Sequence, residues 1–109
     1  MDANAELDTL KPICPGATLW SEGGQAVAYL PSFRFQTSEG ERTMDLLLVP
    51  FAHSGYSTRL FFREVPLQGG LQWTQHMVCG QTWWTRSWNG VPATLLWLQI
   101  LGAHLRSVP

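Results

Sequence analysis

Between residues 17 and 65, short apolar runs of strand length alternate with glycine-bearing turns, and this rhythm limits the possible folds more than any other feature of the chain. Ala17-Thr18-Leu19-Trp20 is followed by Glu22-Gly23-Gly24-Gln25 and then by Val27-Ala28-Tyr29-Leu30. A Gly-Gly pair between two apolar runs signals a hairpin, because glycine accepts the positive φ that a tight turn demands. Phe33-Arg34-Phe35-Gln36 leads into a second turn at Ser38-Glu39-Gly40-Glu41. Residues 44–49 read as a strand buried on both faces, ended by Pro50. A Ser/Gly loop over residues 52–57 precedes Arg59-Leu60-Phe61-Phe62-Arg63-Glu64-Val65, a fourth strand. Four strands with short connections predict an antiparallel meander.

Helices are expected at the two ends. Leu7 and Leu10 share a face of a short segment that Pro12 and Pro15 terminate. Asn89-Gly90-Val91-Pro92 is a helix start signal, since Asn caps well and proline is tolerated in the first turn. Leu95, Leu98, Leu101 or Gly102, and Leu105 follow on one face, widened by Leu96, Trp97 and Ile100. Residues 66–89 hold no period and are rich in Trp, Gln and Thr, so they read as an irregular, aromatic-pinned segment. Trp83, Trp84 and Trp88 are expected to hold that segment against the final helix, with at least one of them largely buried. The expected class is α+β: N-terminal helix, four-stranded meander, irregular segment, C-terminal helix, in one domain over residues 1–109.

Composition excludes several functions. At 45% hydrophobic and 14% charged the chain is too apolar to be disordered. Its net charge is −1 and its basic residues are scattered, which excludes the basic stripe of a nucleic-acid binder. No run of about 18 apolar residues predicts a membrane span. The first residues lack the basic start and apolar stretch of a secretory signal, so a cytoplasmic setting is expected. Cys14 and Cys79 are too few for a disulfide scaffold and are expected reduced. They are also too few for a structural zinc site, and no metal or cofactor is expected.

Cys79 is the sharpest candidate for chemistry. A thiol reacts when it is partly exposed and reaches the thiolate state, and Gly80 beside it allows another backbone to approach. The bland alternative is a buried cysteine acting as a small hydrophobe. His76 lies three residues earlier and could move a proton, although on a strand it would point to the face opposite Cys79. Cys14, between Pro12 and Pro15, reads as packing. His53 reads as a solvated loop histidine, and His104 as a partner of the C-terminal helix dipole. There is no Ser-His-Asp logic, no H-E-x-x-H and no glycine-rich phosphate loop ahead of a helix.

Three strings together resemble the prokaryotic ubiquitin-conjugating-enzyme-like family known as family E. The first runs from Cys14-Pro15-Gly16-Ala17 to Gly24-Gln25-Ala26-Val27-Ala28-Tyr29-Leu30-Pro31. The second is Met44-Asp45-Leu46-Leu47-Leu48-Val49-Pro50 with Gly55-Tyr56, and the third is Thr82-Trp83-Trp84-Thr85-Arg86-Ser87-Trp88 with Gly90-Val91 and Leu95. Cys79 followed by Trp83, Trp84, Trp88 and a helix matches the order in conjugating enzymes. The resemblance implies a ubiquitin-conjugating-like fold lacking its final two helices. The sequence departs from that pattern in having no His-Pro-Asn upstream of the cysteine and in carrying Ser87 where a histidine is frequent.

What the resemblance implies about function is acyl transfer. Cys79 would carry a ubiquitin-like modifier as a thioester from an adenylating activating enzyme to a target amine, in a bacterial antiphage setting. The backbone around Gly80, Gln81 or His76 would stabilise the tetrahedral oxyanion. Having Lys11 as its only lysine, the chain offers itself few acceptors. The alternative is a non-catalytic interaction module that scaffolds a conjugation complex. Neither reading involves nucleic acid or membrane.

Overall fold

The computed structural model describes residues 2–68, 73–86 and 90–108. Its elements in chain order are α1 (Ala3–Leu10), β1 (Thr18–Glu22), β2 (Gln25–Thr37), β3 (Gly40–Val49), β4 (Arg59–Phe62), β5 (Trp73–Val78), β6 (Gln81–Arg86) and α2 (Trp97–Ser107). The strands form one antiparallel six-stranded sheet in the order β1-β2-β3-β4-β6-β5. The protein is thus mostly sheet with two short helices. This corrects the expected ubiquitin-conjugating-like α+β fold, which is richer in helix.

The first four strands follow the turn signals. Gly23 and Gly24 both have positive φ, 59° and 81°, as a two-residue hairpin turn requires. β2 is long and changes phase once. Its pairing with β3 shifts between Leu30 and Phe33, and Ser32 stands at φ 50°. The bulge is fastened by Asp45, whose carboxylate accepts from the Ser32 backbone N–H at 2.8 Å and from the Tyr29 hydroxyl at 2.8 Å. Its effect is to keep Leu30 and Phe33 in the same core although they lie an odd number of residues apart.

The supposedly irregular segment is a hairpin, β5–β6, that extends the sheet past β4. Thr, Trp and Val suit a pleated surface. Their alternation escapes a search for apolar periods because Thr74, His76 and Thr85 occupy face positions where apolar residues are usual. The turn between them is Cys79-Gly80, with φ of 51° and 73°.

The sheet has two apolar faces. On one, α1 and α2 pack over Leu30, Leu46, Leu48, Leu60 and Phe62, with Cys14 among them. On the other, Val27, Leu47, Val49, Phe61, Val78 and Trp83 form a second cluster, flanked by Trp20, Tyr29, Phe51 and Cys79. Trp20 stacks on Tyr29 with ring centroids 4.0 Å apart, and both meet Trp83 edge-on. Trp83 is therefore fully buried, but against the face that the helices do not cover, not against the final helix as expected. Trp84 is half-buried, and Trp88 lies outside the described residues.

Two expectations for the C-terminal helix also change. It begins at Trp97 and not near Pro92, because residues 92–95 close a turn in which the Leu95 N–H reaches the Pro92 carbonyl. The Glu6 carboxylate of α1 then accepts from the Trp97 N–H at 3.3 Å, so α1 helps to cap α2. The buried stripe is Ile100, Leu101 and His104, while Leu96 and Leu98 are exposed. His104 is a core residue, not a dipole partner. The Thr58 hydroxyl donates to the Val91 carbonyl at 2.8 Å, so it accepts from His104 Nε2–H at 2.8 Å. Burial, with the Arg59 charge as a lesser cause, lowers the His104 pKa to about 4. Among the described residues, no helix is long and apolar enough to cross a membrane.

Candidate functional site

Cys79 occupies the tip of the β5–β6 hairpin. A two-residue turn of this hand needs positive φ at both central positions, where Asn, Asp and Gly are preferred. Gly80 meets that demand at no cost, while Cys79 meets it against its own Cβ. Two hydrogen bonds compensate. The Cys79 N–H donates to Glu22 Oε2 at 2.6 Å, and its thiol donates to the Ser21 carbonyl at 3.4 Å. Glu22 ends β1, on the opposite margin of the sheet. The hairpin tip therefore reaches across the helix-free face and clasps the tip of β1–β2, closing the sheet over the Trp20, Tyr29 and Trp83 rings.

The thiol is half-exposed, and its surroundings hold its proton. Desolvation raises its pKa, and the Glu22 carboxylate raises it further. Cys14 differs in being buried, with its thiol directed at the Pro31 carbonyl at 3.6 Å and its pKa raised mainly by desolvation.

The structure does not assemble His76 and Gln81 around Cys79. His76 lies on β5 opposite Trp83, with Nε2 at 3.1 Å from the Thr74 hydroxyl. Its ring meets His53 at 5.5 Å and Phe61 at 5.8 Å, both edge-on. Gln81 starts β6, and its Oε1 accepts from Arg63 Nη1 at 2.7 Å. The Arg63 guanidinium in turn lies 5.3 Å from the Trp83 ring. The side-chain acceptor of Gln81 thus serves to position an arginine.

Sequence reasoning missed a second group on the same face. Arg59 and Phe61 are alternate residues of β4 and point the same way. Arg59 is only 4% exposed, and its guanidinium carbon sits 4.1 Å from the centre of the Tyr56 ring. Its Nε and Nη1 are buried without a hydrogen-bond partner, as is His53 Nδ1. His53 and Tyr56 face each other across a tight turn closed by two backbone hydrogen bonds of 2.9 and 3.0 Å. His53 is therefore part of an ordered wall, not the solvated loop residue expected. Its pKa is lowered by desolvation first and then by the charges of Arg59 and His76, while Glu22 opposes. Desolvation and then Arg59 lower that of His76. The one signal in the sequence was a histidine and an arginine, His53 and Arg59, flanking a Ser-Gly-Tyr turn, which reads as ordinary loop chemistry until β5 places His76 beside it.

Among the described residues, no group of three or more His, Cys, Asp or Glu side chains is arranged to hold a metal ion. No protein-family model, curated protein or solved structure matches the chain.

Proposed function

We propose that the chain is a non-catalytic interaction module. The observation that carries this reading is the setting of Cys79. Capture of an acyl group needs a thiolate that attacks the thioester carbonyl and expels the donor thiolate. Cys79 has a carboxylate beside it, its thiol donates to a backbone carbonyl, and its pKa is raised. Each of these favours the protonated thiol, and a clasp between two hairpin tips explains all three. The module presents β5 as an edge strand, with Thr74, Gln75 and Met77 exposed. An edge of unpaired backbone groups suits strand addition by a partner segment.

Thioester relay is the second reading. It is favoured by a half-exposed thiol held at positive φ, a conformation that cysteine adopts at some cost. A peptide thioester ending in glycine separates the two. Incubated with the native chain at neutral pH and followed by intact mass, it is expected to leave Cys79 unmodified under conditions in which free cysteine is acylated. An adduct that forms promptly and is absent from Cys79→Ser overturns the module reading in favour of relay.

A further inference from the structure

We propose that Arg59, His53 and Tyr56, with His76 beside them, form a binding site for an oxyanion, the carboxylate or phosphoryl group of a ligand. Arg59 carries a charge that lacks its usual compensation. Arginine is seldom fully buried unless it is paired, because removing a guanidinium from water costs several kcal/mol even after relaxation. Arg59 is 96% buried by its 4% exposure, yet it forms no ion pair with any of the eight acidic side chains of the chain. Glu22, whose charge reaches His53, is engaged by the Cys79 N–H.

Among the described residues the guanidinium meets the Tyr56 ring, and a desolvated cation–π contact recovers about 2 kcal/mol, less than the cost of burying the charge. It leaves Nε and Nη1 without acceptors. A buried donor with no acceptor is costly to keep, so a natural chain retains one where a ligand supplies the acceptor.

The neighbours supply further nitrogen groups, with the Glu22 carboxylate acting on His53 from outside the cluster. His53 Nδ1 is buried and unpartnered, and the His53, Phe61 and His76 rings meet edge-on within 5.8 Å. Oxygens are the acceptors that an arginine fork and imidazole N–H groups bind best. The outer wall is the surface turn carrying His53 and Tyr56, both half-buried, with Ser54 and Gly55 exposed between them. Ser54 and Gly55 stand at φ of 50° and 86°, so this wall is a compact four-residue unit. The Tyr56 ring of that unit lies against the guanidinium. A metal ion does not suit the site, because Arg59 repels it.

The site does not depend on how Cys79 acts; an acyl group captured on Cys79 would leave this proposal untouched. The test is titration of the native chain with inorganic phosphate and, separately, with acetate at constant ionic strength. Binding is followed through the Arg59 Nε–H and the His53 and His76 ring resonances. Saturable shifts at Arg59 and at least one histidine are expected, with a dissociation constant of roughly millimolar for so small a ligand. The tighter of the two anions identifies whether the ligand carries phosphoryl or carboxylate oxygens. Arg59→Met is expected to weaken binding by roughly tenfold or more, since it removes charge-assisted hydrogen bonds. Shifts at Arg59 that stay linear with both anions, or affinity retained in Arg59→Met, overturn the proposal. Should that variant fail to fold, the wild-type titration decides alone.

Discussion

The two faces of the sheet are built to different rules. Under the helices, the buried titratable groups among the described residues have partners: Glu6 accepts from the Trp97 N–H, the Cys14 thiol is directed at Pro31, and His104 donates to Thr58, while the uncharged indole Nε1 of Trp73 has none. On the opposite face a core of comparable aromatic density surrounds Arg59, which has no acceptor, and His53, which lacks one partner. Both faces hold the chain together, but among the described residues the buried charge without an acceptor lies on the helix-free one. Arg59 is proposed to serve binding at a cost to stability, so a substitution there should move the two in opposite directions.

The largest expected effects test whether both faces are true core. Trp83→Ala and Leu46→Ala each remove a side chain with no exposed surface, one from each face. Each is expected to cost about 3–5 kcal/mol in urea denaturation. A loss under about 1 kcal/mol for Trp83→Ala would show that the helix-free face is not packed and would erase the comparison.

Acid should act on the satisfied face. The folded-state pKa of His104 is about 4 against an ordinary value of 6.5, so the folded chain prefers the neutral ring. Its contribution is complete above about pH 6.5 and is lost as pH falls toward 4, in total about 3 kcal/mol. The difference in stability between the native chain and His104→Gln, measured from pH 7 to pH 4, should shrink by about that amount. A difference that stays constant with pH would mean that His104 is not held neutral.

Arg59→Met sharpens the contrast in the opposite direction. Replacing an uncompensated buried charge by an apolar chain of similar length should raise stability by about 1–3 kcal/mol, seen as a higher melting temperature. A lower melting temperature would assign Arg59 a structural role. Oxyanion binding should also strengthen as pH falls from 7 toward 5, because His53 and His76 sit below their ordinary pKa in the free chain and a bound anion favours their charged forms. Arg59 opposes that protonation throughout, and at His53 the Glu22 carboxylate assists it.

The hairpin tip gives the smallest effect. Gly80 stands at φ 73° with open space where a Cβ would lie, so Gly80→Ala costs backbone strain alone, about 1–2 kcal/mol. Cys79→Asn, which places a residue suited to positive φ in the same turn, should change stability by less than about 1 kcal/mol.

The sequence declares the first four strands because Gly23-Gly24 and Pro50 punctuate runs whose burial is apolar. It hides β5 and β6 because Thr74, His76 and Thr85 take face positions with polar groups, so the period of two is present in the backbone but not in the hydropathy. His104 was legible in principle: it lies three residues after Leu101 and four after Ile100, on the buried stripe. Leucines 95, 96 and 98 drew the expected face elsewhere. The position of Cys79 after the meander was readable, but its acid–base setting was not. That setting depends on Glu22, 57 residues away, which only the closing of the sheet brings to it. Arg59 was the least legible, since a charged residue at a strand start reads as exposed until the His53–Tyr56 turn folds over it.

The proposed role of Cys79 is to fasten the fold and not to act as a nucleophile. The most direct measurement is the rate of its alkylation by iodoacetamide in the native chain from pH 6 to pH 10, resolved from Cys14 by peptide mass. Labelling at neutral pH is expected to be slower than that of an unstructured cysteine peptide, with its rise displaced to higher pH. Faster labelling than the peptide at pH 7, with the rise displaced to lower pH, would contradict it.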